Sequence, residues 1–215
     1  MTIETNMEVQ TLVSRRPPGR PKKFDTEEVL DKALELFWRH GYYGTTTREL
    51  ESELGLKQSS IYNSFGSKRG LLEAALDRYE ALTDRELLRP LEQSNEGLAA
   101  IETFFITLYH WVTHKGRRGC MLINMMAEDG GETEAITKRT RNYRNRVRTA
   151  FHDTLLQSSV EGETTDAGID SRTDLLVSLV LGLNIAARGG LSKTELEHLL
   201  DAARDQIRSW RVAPA

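Results

Sequence analysis

Cysteine is almost missing: Cys120 stands alone in 215 residues, which excludes an internal disulfide framework and fits a reducing cytoplasm. Proline is nearly as scarce. Three of the five prolines (Pro17, Pro18 and Pro21) crowd into one short stretch, leaving Pro90 and Pro214 for the rest of the chain. Most of the sequence beyond Phe24 is therefore free to be helical. No apolar run approaches the roughly 20 residues that a membrane span needs. The strongest, residues 175–187, is broken by Ser178, Gly182 and Asn184. Residues 1–13 are polar, carry two glutamates and lack the apolar segment of a secretory signal. Alternating strand patterns and internal repeats are also absent. No Ser/His/Asp order, phosphate loop or paired-carboxylate motif stands out, so nothing in the pattern reads as an enzyme and no cofactor is expected.

The net charge of −3 argues against a nucleic-acid partner until its distribution is considered. Between Ser14 and Phe24 stand Arg15, Arg16, Arg20, Lys22 and Lys23 with no acidic residue among them. Phosphate contacts depend on local charge, so a basic arm on a near-neutral head is a sufficient footprint. The prolines keep this arm extended, and its Gly-Arg-Pro centre resembles an AT-hook, in which arginine reaches the floor of an A·T minor groove; a disordered solubilising tail is the alternative.

Apolar spacing of three and four recurs through the remainder, predicting an all-α protein of nine helices. A first helix over residues 25–40 opens on a capping box of Asp25 with Glu28 and stops at Gly41. Thr46 with Glu49 opens a second over 46–55, and a third covers 58–65. Ser67 caps a long helix over 67–89 that Pro90 ends. Further helices are expected at 96–114, 120–128, 134–157, 171–188 and 192–211, with 158–170 a mobile polar stretch. The implied organisation is an arm (1–23), a three-helix head (24–66) and a six-helix ligand-sensing and dimerisation domain (67–215).

Residues 46–62 meet the terms of a helix-turn-helix. Leu50, Leu54 and Ile61 close a small core, and Gly55 makes a turn that needs positive φ. Lys57, Gln58, Ser59 and Ser60 then lie at the N-terminal end of the second helix, where side chains reach base edges. The text ALELFWRHGYYGTTTRELESELGLKQSSIYNSFGSKRGLL, with Ile61, Tyr62, Phe65 and Lys68 in the spacing Ile-Tyr-x-x-Phe-x-x-Lys, resembles the TetR family of bacterial regulators. The resemblance implies a dimeric transcriptional regulator whose Thr46, Thr47, Tyr62 and Lys68 touch phosphates. Its base contacts fall on Gln58, Ser59 and Asn63. Hydroxyls and an ammonium suit phosphate oxygens, and Gln or Asn suits adenine, so the chemistry agrees. Packing alone remains an alternative for Tyr62, and a solvated helix start for Lys68.

The body is expected to hold a small hydrophobic or aromatic effector. Phe104, Phe105, Tyr109, Trp111, Met121, Met125 and Tyr143 exceed what a bundle seam needs, and methionine repacks around varied shapes, with simple core filling the alternative for each of them. Asn124 and His110 are the nearest polar groups. The last two helices read as a self-association surface, with Leu176, Leu179, Leu183, Leu199 and Ile207 at a homodimer interface. Two-fold pairing matches a palindromic double-stranded operator. His110 and His114 share a helix face but lack a third ligand, so no metal is expected. Cys120 reads as a buried small hydrophobe, with a redox-sensing thiol beside Arg117 and Arg118 the alternative. The cations of 138–148 read as a solvated face. Two rivals stay open: a helical-bundle enzyme or carrier, which leaves the head unexplained, and an effector-independent architectural DNA binder.

Overall fold

The computed structural model describes residues 24–114, 119–129, 134–158 and 165–211. The arm residues Arg15, Arg16, Arg20 and Lys22 lie outside them. All regular structure among the described residues is helical, as the apolar spacing predicts.

Helix α1 (Thr26–Gly44) opens on Asp25, whose carboxylate accepts the Glu27 N–H at 2.9 Å. The expected reciprocal bond from Glu28 does not form, because Glu28 pairs with Lys32 at 2.7 Å. Gly41 interrupts the helix at φ 76° and ψ 177°, but one further turn follows it to Gly44. It is a break rather than a stop. Helix α2 (Thr47–Leu54) carries the expected Thr46–Glu49 capping box and ends on Gly55 in the left-handed conformation. Helix α3 (Gln58–Phe65) follows after two residues.

Ser67 caps α4 (Lys68–Thr83) by accepting the Gly70 N–H at 3.0 Å. Pro90 does not end this rod. A π-helical turn at Asp84–Leu88 leads directly into α5 (Arg89–Glu92), which contains Pro90. In a regular helix proline loses its bond and its ring clashes with the carbonyl four residues back. The wider turn, in which the Arg89 N–H reaches back to the Asp84 carbonyl, relieves that conflict.

Helices α6 (Leu98–Thr113), α7 (Met121–Asp129), α8 (Glu134–Ser158), α9 (Asp166–Arg188) and α10 (Lys193–Arg208) complete the described chain. Helix α9 begins five residues ahead of expectation. Thr165 caps it by accepting the Gly168 N–H, and Ile169, taken for part of a mobile stretch, is buried. A Ser192–Glu195 capping box, not anticipated, opens α10. The other end of α10 is tied to α6, where buried Glu102 meets Arg204, Arg208 and Arg211.

One apolar core runs from head to body. Helix α1 carries Trp38 into the body, edge-on to Tyr79 at 5.0 Å and beside Trp111 at 5.7 Å. The Trp38 Nε1–H donates to the Gly119 carbonyl at 2.9 Å. Rigid packing of α1 on α4 and α7 therefore sets where α2 and α3 sit.

Candidate nucleic-acid interface and ligand cavity

Helix α3 is pinned by Ile61, which is fully buried. Lys57, Gln58, Ser59 and Asn63 are exposed to solvent, with Ser60 half-buried among them. Lys57 gives α3 no side-chain cap; instead Glu51 of α2 accepts the Gln58 N–H at 2.7 Å. This carboxylate fixes the start of α3 relative to α2, and sequence spacing gave no sign of it. Thr46 is exposed, although its hydroxyl is already engaged with Glu49, and Thr47 is half-buried at the start of α2. Tyr62 is half-buried against the core. Lys68 lies over the Tyr42 ring at 4.3 Å, where burial lowers its pKa against the opposing pull of Glu128, Tyr62 and Glu49. Lys68 thus lies close to Tyr62 and to Glu49, the partner of Thr46.

The junction of head and body holds a second carboxylate that sequence reasoning passed over. Glu128, near the end of α7, accepts the backbone N–H groups of Tyr42 at 3.0 Å and Tyr43 at 2.6 Å. Those amides are exposed by the break at Gly41. A side chain there would meet the Glu128 carboxylate at 2.2 Å.

Most residues expected to hold an effector pack against each other instead. Phe104, Phe105 and Phe151 form one aromatic cluster, with Phe104 5.0 Å and Phe105 6.0 Å from Phe151. Trp111 belongs to the Trp38–Tyr79 group, while Met121 and Met125 are fully buried. Tyr109 donates to Glu197 at 2.6 Å, and burial together with that carboxylate pushes its pKa up to about 12. Aromatic edges and faces satisfy one another at these distances, although Phe105 also borders a groove along α9 and Phe104 one beside Pro90. An apolar cavity of about 340 Å³ opens one helix further round. Ile123 and Met126 of α7, Val147 of α8, and Val177 and Val180 of α9 make its walls. Of the expected effector residues only Tyr143 lines it; Asn124 is half-buried on α7. Its position follows from how α8 and α9 cross, which no single-helix pattern encodes.

On the far side of α9, a groove of about 410 Å³ runs along α10. Leu175 and Leu199, 40% and 42% exposed, border it with Leu179, Gly182 and Ala202. Leu176 and Ile207 face inward and are fully buried, so they serve the protomer's own core, as does most of Leu183.

Cys120 is buried, accepts a hydrogen bond from the Tyr79 hydroxyl at 3.2 Å, and burial pushes its thiol up. Arg117 and Arg118 lie outside the described residues. His110 and His114 are exposed, and among the described residues no cluster of three potential metal ligands forms. No described helix is long and apolar enough to cross a membrane.

A profile described as bacterial regulatory proteins of the tetR family matches residues 29–75. The HTH-type transcriptional repressor ComR of Escherichia coli (strain K12) is 32% identical over 204 residues, covering 91% of this chain and 93% of ComR. The HTH-type transcriptional repressor BdcR of the same organism is 26% identical, with 84% and 88% covered. Among solved structures, a cysteine variant of the TetR family regulator CifR complexed with 26-base-pair operator DNA aligns with a TM-score of 0.72 at 21% identity, covering 89% of this chain and all of CifR. Reduced NemR of E. coli aligns at 0.68 and 24% identity, over 88% and 97%. At such identities the structural matches speak for the fold alone.

Proposed function

This chain belongs to the TetR family of bacterial regulatory proteins, and on that footing we propose that it is a homodimeric repressor released from a palindromic operator by a small effector. The observation that carries the reading is α3 itself: a short helix pinned by Ile61 and Glu51, with Gln58, Ser59 and Asn63 turned outward. Such a helix enters the major groove by its N-terminal residues, while Thr46, Tyr62 and Lys68 hold the flanking phosphates. The exposed leucines of α9 and α10 support pairing with a second copy into a four-helix bundle, which sets two reading helices one duplex turn apart. The cavity supports an effector site. Helix α7 carries Ile123 and Met126 into its wall and Glu128 to the broken end of α1, so a ligand that shifts α7 also shifts the head. A ligand acts only through its different affinity for the two conformations.

Genomic footprinting followed by fluorescence anisotropy tests this. Two protomers should bind each palindrome, and a scrambled duplex should bind far more weakly. Equal affinity for both duplexes overturns the reading.

A further inference from the structure

Helix α8 carries five arginines, and the fold treats them in two ways. Arg139 meets Asp77 at 2.6 Å and Glu80 at 2.8 Å. Arg146 meets Asp84 at 2.5 Å and Glu92 at 2.7 Å. Arg148 meets Asp170 at 2.8 Å and Asp174 at 3.0 Å. These three tether the helix to α4, the π turn, α5 and α9, while Lys138, Arg141, Arg144 and Arg146 stay exposed as expected of a solvated face. Arg141 and Arg144 differ from the other three. Neither forms an ion pair among the described residues, and these two are the arginines of α8 that line the apolar cavity.

Among the described residues no carboxylate lines that cavity. The Thr140 hydroxyl there is spent on the carbonyls of Ile136 and Leu122. The site therefore combines apolar walls from three helices with two guanidinium groups, one helical turn apart, whose charge no ion pair among the described residues neutralises. A planar guanidinium matches a carboxylate through two parallel hydrogen bonds, and such bonds strengthen beside low-dielectric walls. At about 340 Å³ the cavity lies at the small end of the roughly 300–1,000 Å³ typical of ligand sites.

We propose that the cavity between α7, α8 and α9 takes an apolar monocarboxylate, with Arg141 and Arg144 on the carboxylate and Met126, Val147 and Val177 around its body. The inference rests on the effector-site reading above and names the chemical class of the effector. It also accounts for Met126, an exposed methionine at the cavity that would otherwise be left in water.

The test pairs octanoate, decanoate and 4-phenylbutyrate with their uncharged amides, and adds inorganic phosphate alone. Thermal shift and calorimetry read binding to the full-length protein, while anisotropy reads operator release separately. At least one carboxylate should bind about tenfold or more tighter than its amide, as expected for a charge-assisted contact. The Arg141→Gln, Arg144→Gln double variant should lose that preference. Arg148→Gln, on the same helix but away from the cavity, should keep it. Equal binding of acids and amides, equal stabilisation by phosphate, or an undiminished preference in the double variant overturns the proposal. So does the absence of binding by all three acids. Arginine-dependent binding without operator release leaves the ligand class standing and removes the effector reading instead.

Discussion

At the residue scale, three side chains separate reading, gripping and signalling. Gln58→Ala should relax preference at one base pair in each half-site, costing roughly 1–3 kcal/mol there and little on other sequences. Lys68→Ala should instead lower affinity for all duplexes alike, as measured by anisotropy on an operator and its single-base variants. Uniform loss in both variants would remove Gln58 as a base reader. Glu128 tests the signalling side. It bonds two amides that the Gly41 break leaves without helical partners. In Glu128→Ala, amide exchange at Tyr42 and Tyr43 should accelerate by about fivefold to tenfold, the equivalent of roughly 1 kcal/mol of local opening. Unchanged exchange would mean that α1 holds its own end without α7. The chemistry of Gln58 could be read from its place after the turn. The partners of Lys68 and Glu128 could not, because Tyr42 and Glu128 are 86 positions apart.

At the element scale, caps were largely legible and pairings were not. Thr46 with Glu49 and Ser67 before α4 are local signals, and both act as their spacing predicts. Pro90 shows the limit of such signals. Its missing N–H is a local fact, but the helix continues because the backbone widens upstream and Arg89 and Arg146 both bond Asp84 in the turn. Helices α9 and α10 show the same limit at an apolar face. Both are leucine-rich, yet Leu183 is 4% exposed and Leu199 42%. Leu199→Glu should therefore leave the protomer folded while splitting the proposed dimer, since a two-fold interface would bury the charge twice at several kcal/mol each. Leu183→Glu should instead destabilise the protomer itself. Sedimentation with circular dichroism separates these outcomes; a dimeric Leu199→Glu protein would move the interface elsewhere.

At the scale of the whole molecule, the proposed function joins a charge-driven contact to a conformational one. The arm holds five cations between Ser14 and Phe24. Deleting residues 1–23 should flatten the dependence of log K on log salt by up to about 4.5 per arm, because fewer counterions are released. An unchanged slope would show that the arm does not touch DNA. Effector control should survive the deletion, because the route from cavity to head runs through α7 and α1.

The all-helical fold and the helix-turn-helix were determined by the sequence alone, because apolar periodicity, caps and a left-handed glycine act within a few residues of each other. Which arginines of α8 lack an ion pair among the described residues, which leucines face outward and where an apolar cavity opens were decided only by the tertiary structure. A bundle helix can be apolar on several sides, and its sequence does not say which side its neighbours will cover. Phe104 and Phe105 found partners in each other and in Phe151, and an apolar cavity opened between α7, α8 and α9.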